Sequence, residues 1–243
     1  MTITAPYGYD EVVALQKTQR VLLPAGTTPM FCRTLNALAV SVAEFVIAGR
    51  DYPIVFAAAD GGKSFAPVIV LGLTQGANLF VDASGEWDRS AYFPAFVRRF
   101  PFCLSKVYVD GEAKSERVVC VAKAYVDGGG VVLFDERGAP TPRWQGIERL
   151  LLEFEADLVR TAQMCAAIAR LEMLEPFTMR VNDLPHIQLT GMHRVSEARL
   201  RGLKPASLKA LLEKGFLSLL YAHLHSLDNF SRLVARQKAA GRG

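Results

Sequence analysis

Histidines, cysteines and paired carboxylates are the usual raw material of catalytic and metal chemistry, and this 243-residue chain carries few of them in useful spacings. Its four histidines are His186, His193, His223 and His225. His223 and His225 are two apart on a predicted helix, roughly 200° apart around its axis, so they cannot grip one ion. His193 and Glu197 are four apart and would share a face only of a helix that began early, and no third ligand stands beside them. His225 with Asn229 reads as a polar pair on a packed helix. No metal site is expected. The cysteines, Cys32, Cys103, Cys120 and Cys165, form no Cys-x-x-Cys and sit in apolar runs such as RFPFCLS and RVVCVAKA. They read as reduced core thiols, with a disulfide open only to a pair that the fold brings together. Asp82, Glu86, Asp88 and Asp135 could pair in space, but their setting at strand ends and turns favours local bonds to backbone N–H groups. No Gly-x-Ser-x-Gly is present, and no serine or cysteine stands beside a clear base, so no catalytic residue is assigned. AAADGGKS, Ala57 to Ser64, approaches a phosphate-binding loop but has Ala57 in place of the first glycine. The strand-like FAPVIVLGL follows where a helix is required. A hairpin turn is expected there, and no cofactor.

One stretch is far richer. GEWDRSAYFPAFVRRFPF, from Gly85 to Phe102, holds Trp87, Tyr92, Phe93, Phe96, Phe100 and Phe102 together with Pro94, Pro101, Arg98 and Arg99. Guanidinium groups stack on ring faces and fork onto carboxylates. One reading is structural: internal Arg–Asp or Arg–Glu bridges pin a long loop to a sheet. The other is a recognition surface, in which Trp87, Tyr92, Arg98, Arg99 and Phe102 take an anionic ligand or a peptide carboxylate.

Composition bounds the remaining choices. About half of the residues, 51%, are hydrophobic, enough for a well-buried core. The net charge of +4 is mild. Part of it lies in the tail, at Arg232, Arg236, Lys238 and Arg242, which reads as a solvated helix end. With no compact basic run, nucleic acid is not an expected partner. The opening MTITAPYGYDEVVALQK lacks a basic start followed by an apolar stretch, and the apolar run Ala37 to Ala48 is short and holds Ser41 and Glu44. A cytoplasmic protein without a transmembrane segment is expected.

The elements that must hold these groups follow from periodicity. Residues 1–33 read as irregular, with a strand at Arg20 to Leu23. Thr34 to Gly49 reads as a mostly buried helix stopped by glycine. PIVFAAA, PVIVLGL and ANLFVD read as strands. CLSKVYVD, RVVCVAKAYV and GVVLFDE, separated by DGEAKSE and DGGG, read as an antiparallel meander over 102–135. LFVDASGEW and LFDERGAPT echo one another as strand, acidic residue and glycine turn. From Gly146 to Leu174 apolar residues recur at helical spacing. An extended piece, FTMRVNDLPHIQLTGMHRV, comes next. Then follow a helix capped by Ser196, another started by Pro205, and, after Gly215, one helix of about twenty residues. The fold class is α+β, with an antiparallel β-rich part over 1–142 packed with a helical part over 143–243. RGAPTPRW is the best linker candidate and is weak, so one continuous unit is expected.

YPIVFAAA, GLTQGANLFVD, the ring-rich block, VVLFDERGAPT, LTGMHRVSEARLRGL and GFLSLLYAHLHSLDNFSRLVARQ occur in this order. Together they resemble the SapC family of bacterial proteins from about Val21 to Arg236. The most specific part is G-x-W-x-x-x-x-Y-x-P-x-x-x-R-x-x-P-F, here Gly85, Trp87, Tyr92, Pro94, Arg98, Pro101 and Phe102, with Arg99 at the second basic position. The resemblance implies a single SapC-like domain and a link to bacterial surface layers, and it brings no catalytic residues. A peptide-transport permease that shares the name needs several membrane spans, which this chain lacks. Two functions follow as expectations. The first is a non-catalytic accessory protein that binds a peptide, a protein or an anionic ligand through the aromatic–arginine region. The second is an enzyme or enzyme subunit using Arg98 or Arg99 for an anion and His193 or His223 for proton transfer.

Overall fold

The computed structural model describes residues 2–3, 5–24, 27–109, 112–181 and 187–241. The Asp110–Gly111 turn, His186 and Arg242, each singled out above, lie outside the described residues. The fold is α+β, with antiparallel sheets in the N-terminal half and helices in the C-terminal part. The chain forms two compact units, each from two segments: Met1–Cys32 with Phe96–Ala156, and Arg33–Ala95 with Asp157–Gly243.

The first unit contains strands β1 (Thr2–Ile3), β2 (Val12–Ala14) and β3 (Arg20–Val21). The second contains β4 (Ala37–Ala39), the single-turn helix α1 (Phe45–Ala48), β5 (Ile54–Ala59) and β6 (Ser64–Val70). Helix α2 (Ala95–Arg98) leads into β7 (Phe102–Val109), β8 (Glu112–Ala122) and β9 (Val131–Val132), then into the long helix α3 (Pro142–Arg170). Strands β10 (Leu174–Arg180) and β11 (Gln188–Val195) precede α4 (Glu197–Arg201), α5 (Pro205–Glu213), α6 (Phe216–Ser226) and α7 (Asn229–Ala240).

In the first unit β1, β7, β8 and β2 form an antiparallel sheet in that order, and β3 pairs with β9. Phe102, Val121, Val21, Leu133, Trp144 and Leu151 make one buried cluster. Tyr9, Val12, Cys103, Cys120 and Ala122 make another. The expected meander is therefore only partly formed: β7 and β8 pair, but β9 leaves them for β3, with Val131 opposite Val21. Gly130 permits the crossing, because a Cβ there would lie 2.4 Å from the Val21 carbonyl carbon.

In the second unit the sheet order is β10, β11, β5, β6, β4, all antiparallel. AAADGGKS is the β5–β6 hairpin turn, as expected, with Ser64 Oγ donating to Asp60 Oδ2 at 2.7 Å. Two expectations fail here and a third is refined. The helix read over 34–49 is mostly absent: Ala37–Ala39 joins β6 as an edge strand, and only a 3-10 turn and α1 are helical. ANLFVD is not a strand, since Asn78 Oδ1 takes the Phe80 N–H and only Val81 bridges to Trp87. The extended piece after α3 is a hairpin that supplies two of the five strands.

The expected last helix is also two helices. Ser226 Oγ donates to the His223 carbonyl at 2.6 Å and accepts the Ile54 N–H at 2.9 Å. Asn229 Nδ2 donates to the carbonyls of Gly49 (2.8 Å) and Tyr52 (3.3 Å). The expected His225–Asn229 pair is therefore replaced by bonds from Asn229 to the chain around α1. These bonds use up polar groups at the break between α6 and α7.

The echo between LFVDASGEW and LFDERGAPT is a real structural repeat. Asp82 Oδ1 accepts the Glu86 N–H (2.9 Å) and Asp135 Oδ1 accepts the Ala139 N–H (2.8 Å), four residues on in each case. Backbone bonds Asp82 N–H to Glu86 O and Asp135 N–H to Ala139 O repeat as well, as do the bridges Val81–Trp87 and Phe134–Pro140. One copy lies in each unit.

Candidate functional site

The ring-rich block runs through both units, so its residues fall into two groups. Trp87 and Tyr92 belong to the second unit, and Arg98, Arg99 and Phe102 to the first.

Trp87 is buried, and its Nε1 donates to the Tyr52 hydroxyl at 3.1 Å. That hydroxyl donates in turn to the Tyr92 carbonyl. Burial pushes the Tyr52 hydroxyl well above its ordinary value. The Tyr92 N–H donates to Asp51 Oδ2 at 2.9 Å, and its hydroxyl to Glu44 Oε1 at 3.1 Å. Glu44 is 4% exposed and forms a hub: Oε1 also accepts the Ala95 N–H (2.8 Å), while Oε2 accepts the Ser41 N–H (3.1 Å) and hydroxyl (3.0 Å). Four hydrogen bonds satisfy a buried carboxylate. Trp87 and Tyr92 are thus brought together by Tyr52 and Glu44.

Beside these residues Arg236 joins a ring to an acid. Its guanidinium carbon lies 4.3 Å from the Phe80 ring centroid. Its nitrogens reach Asp88 Oδ2 (2.5 Å) and the Leu79 carbonyl (3.2 Å). The Ser90 hydroxyl, and after it Arg236, hold the Asp88 carboxyl down at about 2. Sequence reasoning assigned Arg236 to a solvated helix end; nothing local in ARQKAA reveals a partner that lies 148 residues away.

In the first unit Arg98 is exposed and Arg99 is 5% exposed. The Arg99 guanidinium carbon lies 4.4 Å from the Phe96 ring centroid and 4.7 Å from that of Phe154. Its Nε, buried, has no hydrogen-bond partner, and among the described residues Arg99 makes no ion pair. Ring faces compensate part of the cost of desolvating a cation, though less fully than a carboxylate does. Phe102 is 1% exposed, its ring centroid 5.6 Å from that of Trp144 in the unit's core.

A cavity of about 430 Å³ in the first unit is walled by Tyr9, Phe31, Phe100 and Tyr125. Ring centroids lie 4.9 Å apart for Phe100–Tyr125, 5.1 Å for Tyr9–Phe100 and 5.4 Å for Phe31–Phe100. The Tyr9 hydroxyl is committed to the Phe102 carbonyl at 2.8 Å, and burial raises its pKa while the Arg99 charge opposes that rise. Of these walls only Phe100 lies in the ring-rich block. Phe31 and Tyr125 stand alone in stretches of ordinary composition, and Tyr9 has only Tyr7 near it.

His223 is held in place by its bonding. His223 is fully buried, with Nε2 accepting the Val195 N–H (3.0 Å) and Nδ1 bonded to the Ile54 carbonyl (2.8 Å). Both ring nitrogens are in use, which leaves none for proton transfer. Burial holds its pKa down at about 4. His193 packs edge-on to Phe65 at 5.0 Å, and Glu197 Oε1 accepts from Arg201 at 2.6 Å rather than facing a metal. No group of three or more His, Cys, Asp or Glu among the described residues could hold a metal ion. All four cysteines are buried thiols outside any disulfide, and Cys103 and Cys120 are direct cross-strand partners. Among the described residues no helix is long and apolar enough to cross a membrane.

Comparison with known proteins places the chain by sequence. No curated protein and no solved structure gives a significant match. The model of the SapC family matches residues 19–233, nearly the whole chain and the whole ring-rich block with it. The chain belongs to the SapC family.

Proposed function

We propose that this SapC-family member is a non-catalytic accessory protein that binds an anionic group, carried by a peptide or protein, at its aromatic–arginine region. Arg99 carries the reading. A guanidinium held between two rings keeps its orientation, and a buried Nε without an acceptor has bonding capacity to give to a carboxylate. Arg98, exposed one residue away, adds a second positive charge for approach. Phe102, packed on Trp144 in the same unit, fixes the course of the block beside these arginines. A cytoplasmic setting and a tie to surface-layer biology belong to the same proposal.

The test is capture of partners from a lysate of the native host with tagged protein, read by native mass spectrometry, for wild type, Arg99→Lys, Arg99→Met and Arg98→Ala. Arg99→Met fills the slot between the rings without charge or fork, and Arg99→Lys restores only the charge. Loss of the same captured species in Arg99→Met, and weakening in Arg99→Lys and Arg98→Ala, with melting temperatures within a few degrees of wild type, supports the reading. Undiminished capture by Arg99→Met defeats it. So does loss confined to variants that have unfolded.

A further inference from the structure

From the cavity in the first unit we infer a second binding site, one that takes the side chain of a lysine next to an apolar residue in a partner polypeptide. The inference is independent of the Arg99 reading, since Arg99 does not line this cavity.

The walls argue for a cation. Aromatic rings present negative faces, and Phe31, Phe100 and Tyr125 are each only half-buried around a space of about 430 Å³. The fourth ring, Tyr9, is fixed from behind by its bond to the Phe102 carbonyl, so the wall is preorganised.

The rim carries a surplus of negative charge. Glu11 and Lys123 pair at 2.9 Å, with both side chains about 60% exposed, so they largely cancel. Asp10 is exposed and makes no ion pair among the described residues. A carboxylate beside ring faces suits an alkylammonium group and repels a carboxylate or phosphate.

Two features favour a polypeptide over a free amine. The cavity opens to the surface, and Met30 on its rim is 70% exposed. An exposed methionine offers an adaptable apolar contact beyond the reach of a single ammonium group. A lysine stem lies along rings while its head stays near Asp10.

Titration of the isotope-labelled full chain by nuclear magnetic resonance tests this with three probes. These are the N-acetyl amide of the dipeptide leucyl-lysine, the same compound with norleucine for lysine, and choline. The lysine probe is expected to shift the amides of Ala122 and Ala124 and the Met30 methyl, and to bind about tenfold tighter than the norleucine probe. Asp10→Asn, an exposed change, is expected to weaken the lysine probe roughly threefold or more and leave the norleucine probe unchanged. Tyr125→Leu is expected to act in the same direction. Equal binding of lysine and norleucine probes, shifts elsewhere only, or no binding at millimolar concentration overturns the inference. Choline binding tighter than the lysine probe overturns the choice of a polypeptide.

Discussion

His223 is the residue whose chemistry is most tightly tied to the fold. A neutral imidazole can accept from the Val195 N–H and donate to the Ile54 carbonyl at once; a protonated ring has no acceptor left. Its folded pKa of about 4 lies below the ordinary histidine value of about 6.5. The unfolded chain therefore binds the extra proton between those values and the folded chain does not. Stability is expected to fall as pH drops from about 6.5 to about 4, by on the order of 3 kcal/mol. Asp88 works in a lower window: its carboxyl is held at about 2, so its contribution is complete above the ordinary aspartate pKa and is lost as pH falls from there towards about 2. Melting temperatures measured from pH 7 to pH 4 check the histidine. His223→Gln should lower stability at pH 7 and flatten the slope above pH 4. A wild-type slope that persists in His223→Gln would assign the effect to other groups.

Among the elements, the β7–β8 ladder sets Cys103 directly opposite Cys120. Opposed residues in an antiparallel pair have Cα atoms about 4.5–5.5 Å apart, within the span of a disulfide. Burial raises both thiols, Cys120 to about 11, which keeps thiolate scarce and oxidation slow. Prolonged treatment with a small-molecule disulfide is expected to oxidise this pair to a cystine, each reagent molecule taking up two electrons and leaving as two thiols. Intact mass should fall by about 2 Da, and peptide mapping should link Cys103 to Cys120 while Cys32 and Cys165 stay alkylatable after unfolding. A different pairing, or only mixed disulfides with the reagent, would show that the opposed thiols cannot close.

Legibility also varies element by element. The β5–β6 hairpin, α3, and the starts of α4 and α5 were readable because local signals govern them: glycines in a turn, helical spacing, Ser196 and Pro205 at helix starts. The turns at Asp82 and Asp135 were visible as an echo for the same reason. Ala37–Ala39 escaped because an alanine- and leucine-rich run suits a helix until an edge of β6 takes it. The break between α6 and α7 depends on the carbonyls of Gly49 and Tyr52, far away in sequence. In the candidate sites, the crowding of rings in the block was legible. The parts played by Arg236, Tyr9 and Phe154 were not, since long-range packing alone assigns them.

For the whole molecule the governing fact is that each unit is assembled from two separated segments. Strands β5, β6 and β4 have β11 and β10 as their sheet neighbours, and β7 and β8 have β1 and β2. No contiguous fragment between residues 33 and 156 contains either full set. A fragment covering 33–95 is expected to lack cooperative unfolding, and mixing it with 157–243 to restore it in part; circular dichroism melts of each piece and of the mixture check this. A sharp transition in the isolated 33–95 piece would show that its three strands suffice alone.

On the ribosome this interleaving orders events. The strand pair β5–β6 emerges with one edge bare, and its neighbour β11 is made only after more than a hundred further residues. Until then the consecutive apolar residues Ile54, Val55 and Phe56 must be shielded by something other than their native partners. Nascent chains stalled before residue 188 should therefore engage chaperones that full-length chains have already released.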